Sequence, residues 1–152
     1  MIKKLKFFAA SAIVLIASLG FVTPVQAGPV QVTLECESPY IGIAPFWSHT
    51  ASIAVQLNFN RPGVATMGGV VIGNHGVSHI VVDAELERIN PNGTRTVINR
   101  WNNIRMDGSV WHWSRDHNVA RGHSYRLALI VRTHRNGQVE TIVAHGPIVH
   151  AH

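Results

Sequence analysis

The sequence predicts an all-β fold, an antiparallel β-sandwich of Greek-key type with about seven or eight strands. Three observations carry this. In the stretch Gly122 to Val143, Tyr125, Leu127, Leu129 and Val131 recur at every second position. That is the spacing of a strand with one face on a core. Asn136-Gly137 then separates this run from Val139, Thr141 and Val143. Both residues tolerate positive φ, as a two-residue type I′ hairpin turn requires. Further turn signals, Asn60-Arg61-Pro62-Gly63, Asn90-Pro91-Asn92-Gly93 and Asp107-Gly108, divide the rest into short apolar runs. No helical period occurs beyond the N-terminal region.

Taken in order, Val30, Val32 and Leu34 alternate with polar neighbours and form a first strand, broken by Ser38-Pro39. Ile41 to Trp47 is apolar but carries Gly42 and Pro45, which suits an irregular edge segment. Ile53, Val55, Leu57 and Phe59 give the next alternation. Val64 to Ile72 is a strand loosened by Gly68-Gly69, and Gly73 to Gly76 is a loop. Ile80, Val82, Ala84 and Leu86 point one way, with Asp83, Glu85 and Glu87 on a solvated face. Thr94 to Trp101 returns after the Asn90–Gly93 turn, and Ser109 to Trp113 follows. Ser114 to His123 is polar and reads as a loop. Gly146-Pro147 interrupts the final run, Ile148 to His152.

The chain opens with Lys3, Lys4 and Lys6, an apolar run Phe7 to Val22, and Val25-Gln26-Ala27. This is the three-part pattern of a secretory signal peptide, here residues 1–27, expected to be helical and cleaved after Ala27. Its apolar run of about 16 residues is short against the roughly 20 of a membrane span. Residues 28–152 then form one domain, and no other stretch is apolar enough to span a bilayer.

All three lysines lie in that leader. The remaining ten arginines against eight acids leave a net charge of +2, so the high pI of the whole chain does not argue for a nucleic-acid partner. Cys36 is the single cysteine, so no internal disulfide can form and the core must carry stability. It is read as a small residue at a strand end, with intermolecular pairing as the alternative.

A basic leader, Ile43-Ala44-Pro45-Phe46-Trp47, the turn Asn90-Pro91-Asn92-Gly93 and the segment Gly122-His123-Ser124-Tyr125-Arg126-Leu127 occur in that order. Together they resemble the small, single-domain, secreted β-sandwich proteins of Gram-positive bacteria, over most of the exported chain. The resemblance implies an immunoglobulin-like or fibronectin-like fold and carries over no functional residue. Tyr125, just after Gly122, is placed where the hydroxyl of a tyrosine corner could bond back to the chain, or where an ordinary core tyrosine would stand.

Three residue sets could carry chemistry. The ten histidines come first; His145, His150 and His152 cluster near the C-terminus and are the best candidates for a metal site. No His-Glu-x-x-His motif occurs, and solvated or locally bonded histidines are the simpler reading. The second set is Trp111 and Trp113, which share one strand face. Facing outward they could stack on a ligand. But that would turn Val110 and His112 inward, a poor core, so inward tryptophans are the more natural arrangement. The third set is catalytic. There is no Gly-x-Ser-x-Gly elbow and no glycine-rich phosphate loop, and Asp116-His117 are mere sequence neighbours. Asn92-Gly93-Thr94 is a glycosylation sequon that reads better as a turn.

The expectation is therefore a secreted, non-enzymatic β-sandwich module without cofactor. Its partner would be a cell-wall polymer, a glycan or a protein, at or outside the cell envelope. The alternative is a histidine-based extracytoplasmic metal-binding protein.

Overall fold

The computed structural model describes residues 32–34, 40–42 and 47–152. The expected signal peptide and cleavage site, Cys36, and residues 43–46 of the irregular segment lie outside the described residues. Ten strands are described, with no helix among them. They are β1 (Val32–Leu34), β2 (Tyr40–Gly42), β3 (Thr50–Arg61), β4 (Val64–Gly73), β5 (Val77–Ile89), β6 (Arg95–Asp107), β7 (Val110–Asn118), β8 (Ser124–Arg135), β9 (Gln138–His145) and β10 (Val149–His150). They build two sheets packed face to face. One has the order β1-β9-β8-β5-β6, with β10 also on β8; the other has the order β2-β3-β4-β7. Neighbouring strands run antiparallel except β1, which lies parallel to β9.

The inward positions are those that the period of two marks. Ile53, Val55, Leu57, Met67, Val71, Ile80, Val82, Leu86, Leu127, Leu129 and Val131 are all buried between the sheets. Trp111 stands among them, and its indole Nε1–H donates to the Ile104 carbonyl of β6 at 3.0 Å, tying one sheet to the other. That bond satisfies the polar handle which otherwise makes a buried tryptophan costly. Tyr125 is also buried, and its hydroxyl donates to the Ala120 carbonyl at 2.8 Å. Burial raises its pKa above the ordinary tyrosine value, against the nearby Arg88 charge.

The hairpin forms at the expected place. Asn136 has φ 50° and Gly137 φ 76°, with Arg135 opposite Gln138. Three expectations need correction. Gly68-Gly69 do not loosen β4: they sit in unbroken register between Gln56 and Val55 on one side and Ser114 and Trp113 on the other. A Cβ on Gly69 would come within 2.6 Å of Leu129 Cδ1 and 3.1 Å of the Ala54 carbonyl, so the glycine lets the facing sheet approach. Nor is Ser114 to His123 all loop, since β7 runs on to Asn118. Its polar half escaped the alternation test because both faces of an edge strand beyond the core are wet.

The acids of β5 are not simply solvated either. Asp83 receives both terminal nitrogens of Arg132 at 2.9 and 3.0 Å, Glu85 pairs with Arg100 at 2.7 Å, and Glu87 takes Arg126 at 2.9 Å. Glu87 and Arg126 are both buried on the outer side of this sheet. Asp83 also accepts the Asn103 N–H at 2.6 Å, which pins the bulge where Asn103 adopts φ 55°. Burial would push the Asp83 carboxyl up, but the bonds from Arg132 and Asn103 and the arginine charges outweigh it and hold its pKa below the usual value.

Candidate functional site

The outer face of the β2-β3-β4-β7 sheet holds a shallow depression of about 310 Å³. Register explains it. Gln56, Gly68 and Ser114 lie in one row across β3, β4 and β7, and Ala54, Val70 and His112 lie in the next. Small residues at Ala54, Gly68 and Ser114 leave the floor low. Val70 and His112 rise on one side, and Gln56, Asn58 and Thr66 line the other. Gly68 cannot easily be anything larger, since a Cβ there would meet the Trp113 carbonyl at 2.8 Å.

No Asp, Glu, Lys or Arg lines this depression. Its rim offers the amides of Gln56 and Asn58, the hydroxyls of Thr66 and Ser114, and the His112 imidazole. Val70 at its edge and Ile72 and Val110 beyond it stand exposed at 41%, 43% and 52%. Ile72 and Val110 are cross-strand partners, so the three form one patch beside the depression. At the opposite end Asp116 accepts from Arg61 at 3.1 Å and Thr66 at 2.8 Å, which settles the nearest acid in a local pair. The outer face of the other sheet contrasts sharply, since it carries the arginine–carboxylate pairs of β5.

The tryptophans do not form an exposed stacking pair. Trp111 is fully buried, and Trp113 is partly buried against the core. Trp113 meets Trp101 of β6 with ring centroids 5.3 Å apart, and His117 meets Trp101 edge-on at 5.6 Å. These rings close the seam between the sheets beside β6 and β7. The inward arrangement follows from the argument that Val110 and His112 would make a poor core: both are exposed.

The histidines are dispersed. His145 is buried, whereas His150 and His152 are exposed with ring centroids 5.0 Å apart. Ser124 Oγ lies 3.3 Å from His150 Nδ1. Among the described residues no group of three His, Cys, Asp or Glu side chains is placed to hold a metal ion. A different pair, not singled out by spacing, comes together: His79 and His134 are cross-strand partners whose rings stack at 4.0 Å. Burial lowers the His134 pKa below its ordinary value, and the charges of His79, Arg105 and Arg132 add to that.

Sequence reasoning missed the depression because none of its residues carries a chemical signal alone. Gly68-Gly69 was the visible trace of it. The chain matches no protein-family model and no curated protein sequence.

Proposed function

We propose that this chain is an exported, non-catalytic binding module of immunoglobulin-like or fibronectin-like type that takes a neutral, hydroxyl-rich glycan chain on its β2-β3-β4-β7 face. The observation that carries this is the uncharged depression across Ala54, Gly68 and Ser114. Sugars present apolar C–H faces and many hydroxyls but no charge. A low floor flanked by Val70 meets the first, and amide, hydroxyl and imidazole groups on the rim meet the second. No arginine lines the depression, and Trp113 beside it turns its ring to the seam against Trp101, so the anchors typical of a protein partner are absent from its centre.

Strand order supports the Greek-key, fibronectin-like reading: β3-β4-β7 faces β9-β8-β5-β6. The Tyr125 bond to Ala120, five residues upstream at the start of β8, has the form of a tyrosine corner. The basic and apolar N-terminal region supports export, with residues 1–27 removed.

Affinity electrophoresis tests the binding role. The protein is run through gels containing neutral polysaccharides (xylan, β-glucan, mannan) or solubilised peptidoglycan. Retardation in at least one gel, lost in Ala54→Trp at unchanged Tm, is the expected result. Ala54 is chosen because its side chain points into the depression and away from the core. Unretarded migration in every gel would refute the glycan reading.

A further inference from the structure

Every β-sheet that is not closed ends in strands with a bare edge, and proteins normally blunt those edges. At the β6–β7 side of this sandwich the two edges are treated differently. β6 carries two register shifts against β5, a positive φ at Asn103, and Arg95, Arg100 and Arg105 along its length. All three devices discourage pairing. β7 has none of the backbone ones. It pairs with β4 from Ile72↔Val110 to Val64↔Asn118 without one register shift, and it contains no proline.

The direction of its backbone groups is fixed by three bonds. The Ser109 carbonyl accepts from Gly73, and Val119 N–H donates to Gly63, so odd-numbered residues face β4. His112 N–H faces the other way and meets Met106 Sδ at 3.5 Å. Val110, His112, Ser114, Asp116 and Asn118 therefore present N–H and C=O groups along the open edge. Among the described residues, Met106 is the group that meets this edge's N–H groups, and a thioether on a flexible side chain is a weak acceptor that can swing aside.

We propose that β7 is a self-association edge, joining two copies of this chain through antiparallel β7–β7 pairing about a two-fold axis at Ser114. This register overlaps the whole strand and pairs even-numbered residues with even-numbered ones, as the free edge demands. It is also complementary in side chains. His112 comes opposite the partner's Asp116, an imidazole facing a carboxylate that also takes Arg61 and Thr66 of its own chain and has lone pairs left for one bond more. Trp113 comes opposite the partner's Arg115, across a non-hydrogen-bonded pair whose Cα atoms lie about 4.5 Å apart. A guanidinium there can lie on the indole. Arg115 is exposed and makes no ion pair to a described acid in the single chain, so it is available for this contact. The same symmetry places every one of these contacts twice, as a two-fold interface must. The two four-stranded sheets become one of eight strands. Ser114, on the axis, also lines the depression, so the depressions of the two copies meet there. The pairing stands whether or not that depression takes a glycan.

The test is sedimentation velocity on the whole protein as expressed, at up to about 100 µM, where a Kd of micromolar order gives mostly dimer. Ser114→Pro is the discriminating variant, because it deletes an N–H that faces solvent in the single chain and leaves every β4 bond intact. Wild type should sediment as a dimer and Ser114→Pro as a monomer with unchanged circular dichroism. Ser114→Cys in a Cys36→Ser background reports the register without relying on a proline. Hydrogen-bonded antiparallel partners have Cα atoms about 5.5 Å apart, within disulfide reach. Mild oxidation should cross-link it, whereas Ser52→Cys on β3 in the same background should stay uncross-linked. A wild-type protein monomeric at the highest concentration overturns the proposal. So does a dimer that survives Ser114→Pro and gives no cross-link at position 114.

Discussion

The closeness of the two sheets over Gly69 can be tested by a double substitution. Leu129 is fully buried, and its Cδ1 occupies the space that a Cβ on Gly69 would need, 2.6 Å away. Leu129→Ala removes three carbons from water-excluded surroundings, a loss of about 2.4 kcal/mol at about 0.8 kcal/mol per carbon. A residual cavity of about 50 Å³ adds about 1.2 kcal/mol. The single change should therefore cost about 3–4 kcal/mol, with no disulfide to cushion it. Gly69→Ala forces the sheets apart or Leu129 off its rotamer, at about 1–3 kcal/mol. The two losses should not add. In Gly69→Ala/Leu129→Ala the new methyl enters the space that Leu129 vacates, and its remaining neighbours, the Ala54 carbonyl at 3.1 Å and Trp111 Cζ3 at 3.5 Å, can be accommodated by small shifts. The double variant should be more stable than the sum of the singles implies by about 1–2 kcal/mol. Urea denaturation of all four proteins measures this, provided that the m-value stays constant. Additivity to within about 0.5 kcal/mol would refute the claim that Gly69 exists to admit Leu129.

Other outcomes follow from the charged groups and the ends. Arg126→Met leaves the buried Glu87 carboxylate with only its longer, 3.8 Å contact to Arg95 and should cost up to about 3–5 kcal/mol by denaturant unfolding, whereas Glu87→Leu/Arg126→Met should recover much of it. His134 binds its proton less readily folded than unfolded, so folding stability should fall as pH drops through the ordinary histidine range near 6.5. Tm measured between pH 7.5 and 5.5 should show this, and His134→Gln should flatten the slope. Asp83, with its lowered pKa, contributes stability above the usual carboxylate range near 3.9; that contribution should be lost below it, and Asp83→Asn should reduce the acid sensitivity there. Mass spectrometry of the exported protein should find Gly28 at its N-terminus; an intact leader on membrane-held protein would contradict export. Zinc and copper titrations at pH 7.5 and 5.5 address the histidine alternative: tight binding at the higher pH, lost at the lower, would favour a metal role over glycan binding.

The parts of the fold legible in the sequence were those where one face is wet and the other dry. β3 and β5 alternate along most of their length because the core covers one side, β8 shows the alternation in sequence although Arg126 and Ala128 on its outer side are buried too, and Asn136-Gly137 declared its turn through backbone freedom. β7 was half legible: Trp111 and Trp113 marked its inward face, but Arg115 and His117 do not, since the strand outruns the core. Pairing partners were not legible at all. The acids of β5 looked solvated because their arginines come from β6 and β8, with Arg126 lying 39 residues from Glu87 and Arg132 lying 49 from Asp83. The depression was illegible for the same reason. It is made where Ala54, Gly68 and Ser114 are brought side by side, and register, not local composition, does that.

The most direct measurement of the glycan-binding claim is amide chemical-shift mapping of the protein against a panel of neutral oligosaccharides and peptidoglycan fragments. At least one of them should shift amides saturably, with the changes gathered on Ala54, Gln56, Gly68, Val70, His112 and Ser114. Saturable shifts gathered instead on the arginine–carboxylate face of β5, β6 and β8, with the depression silent, would contradict it.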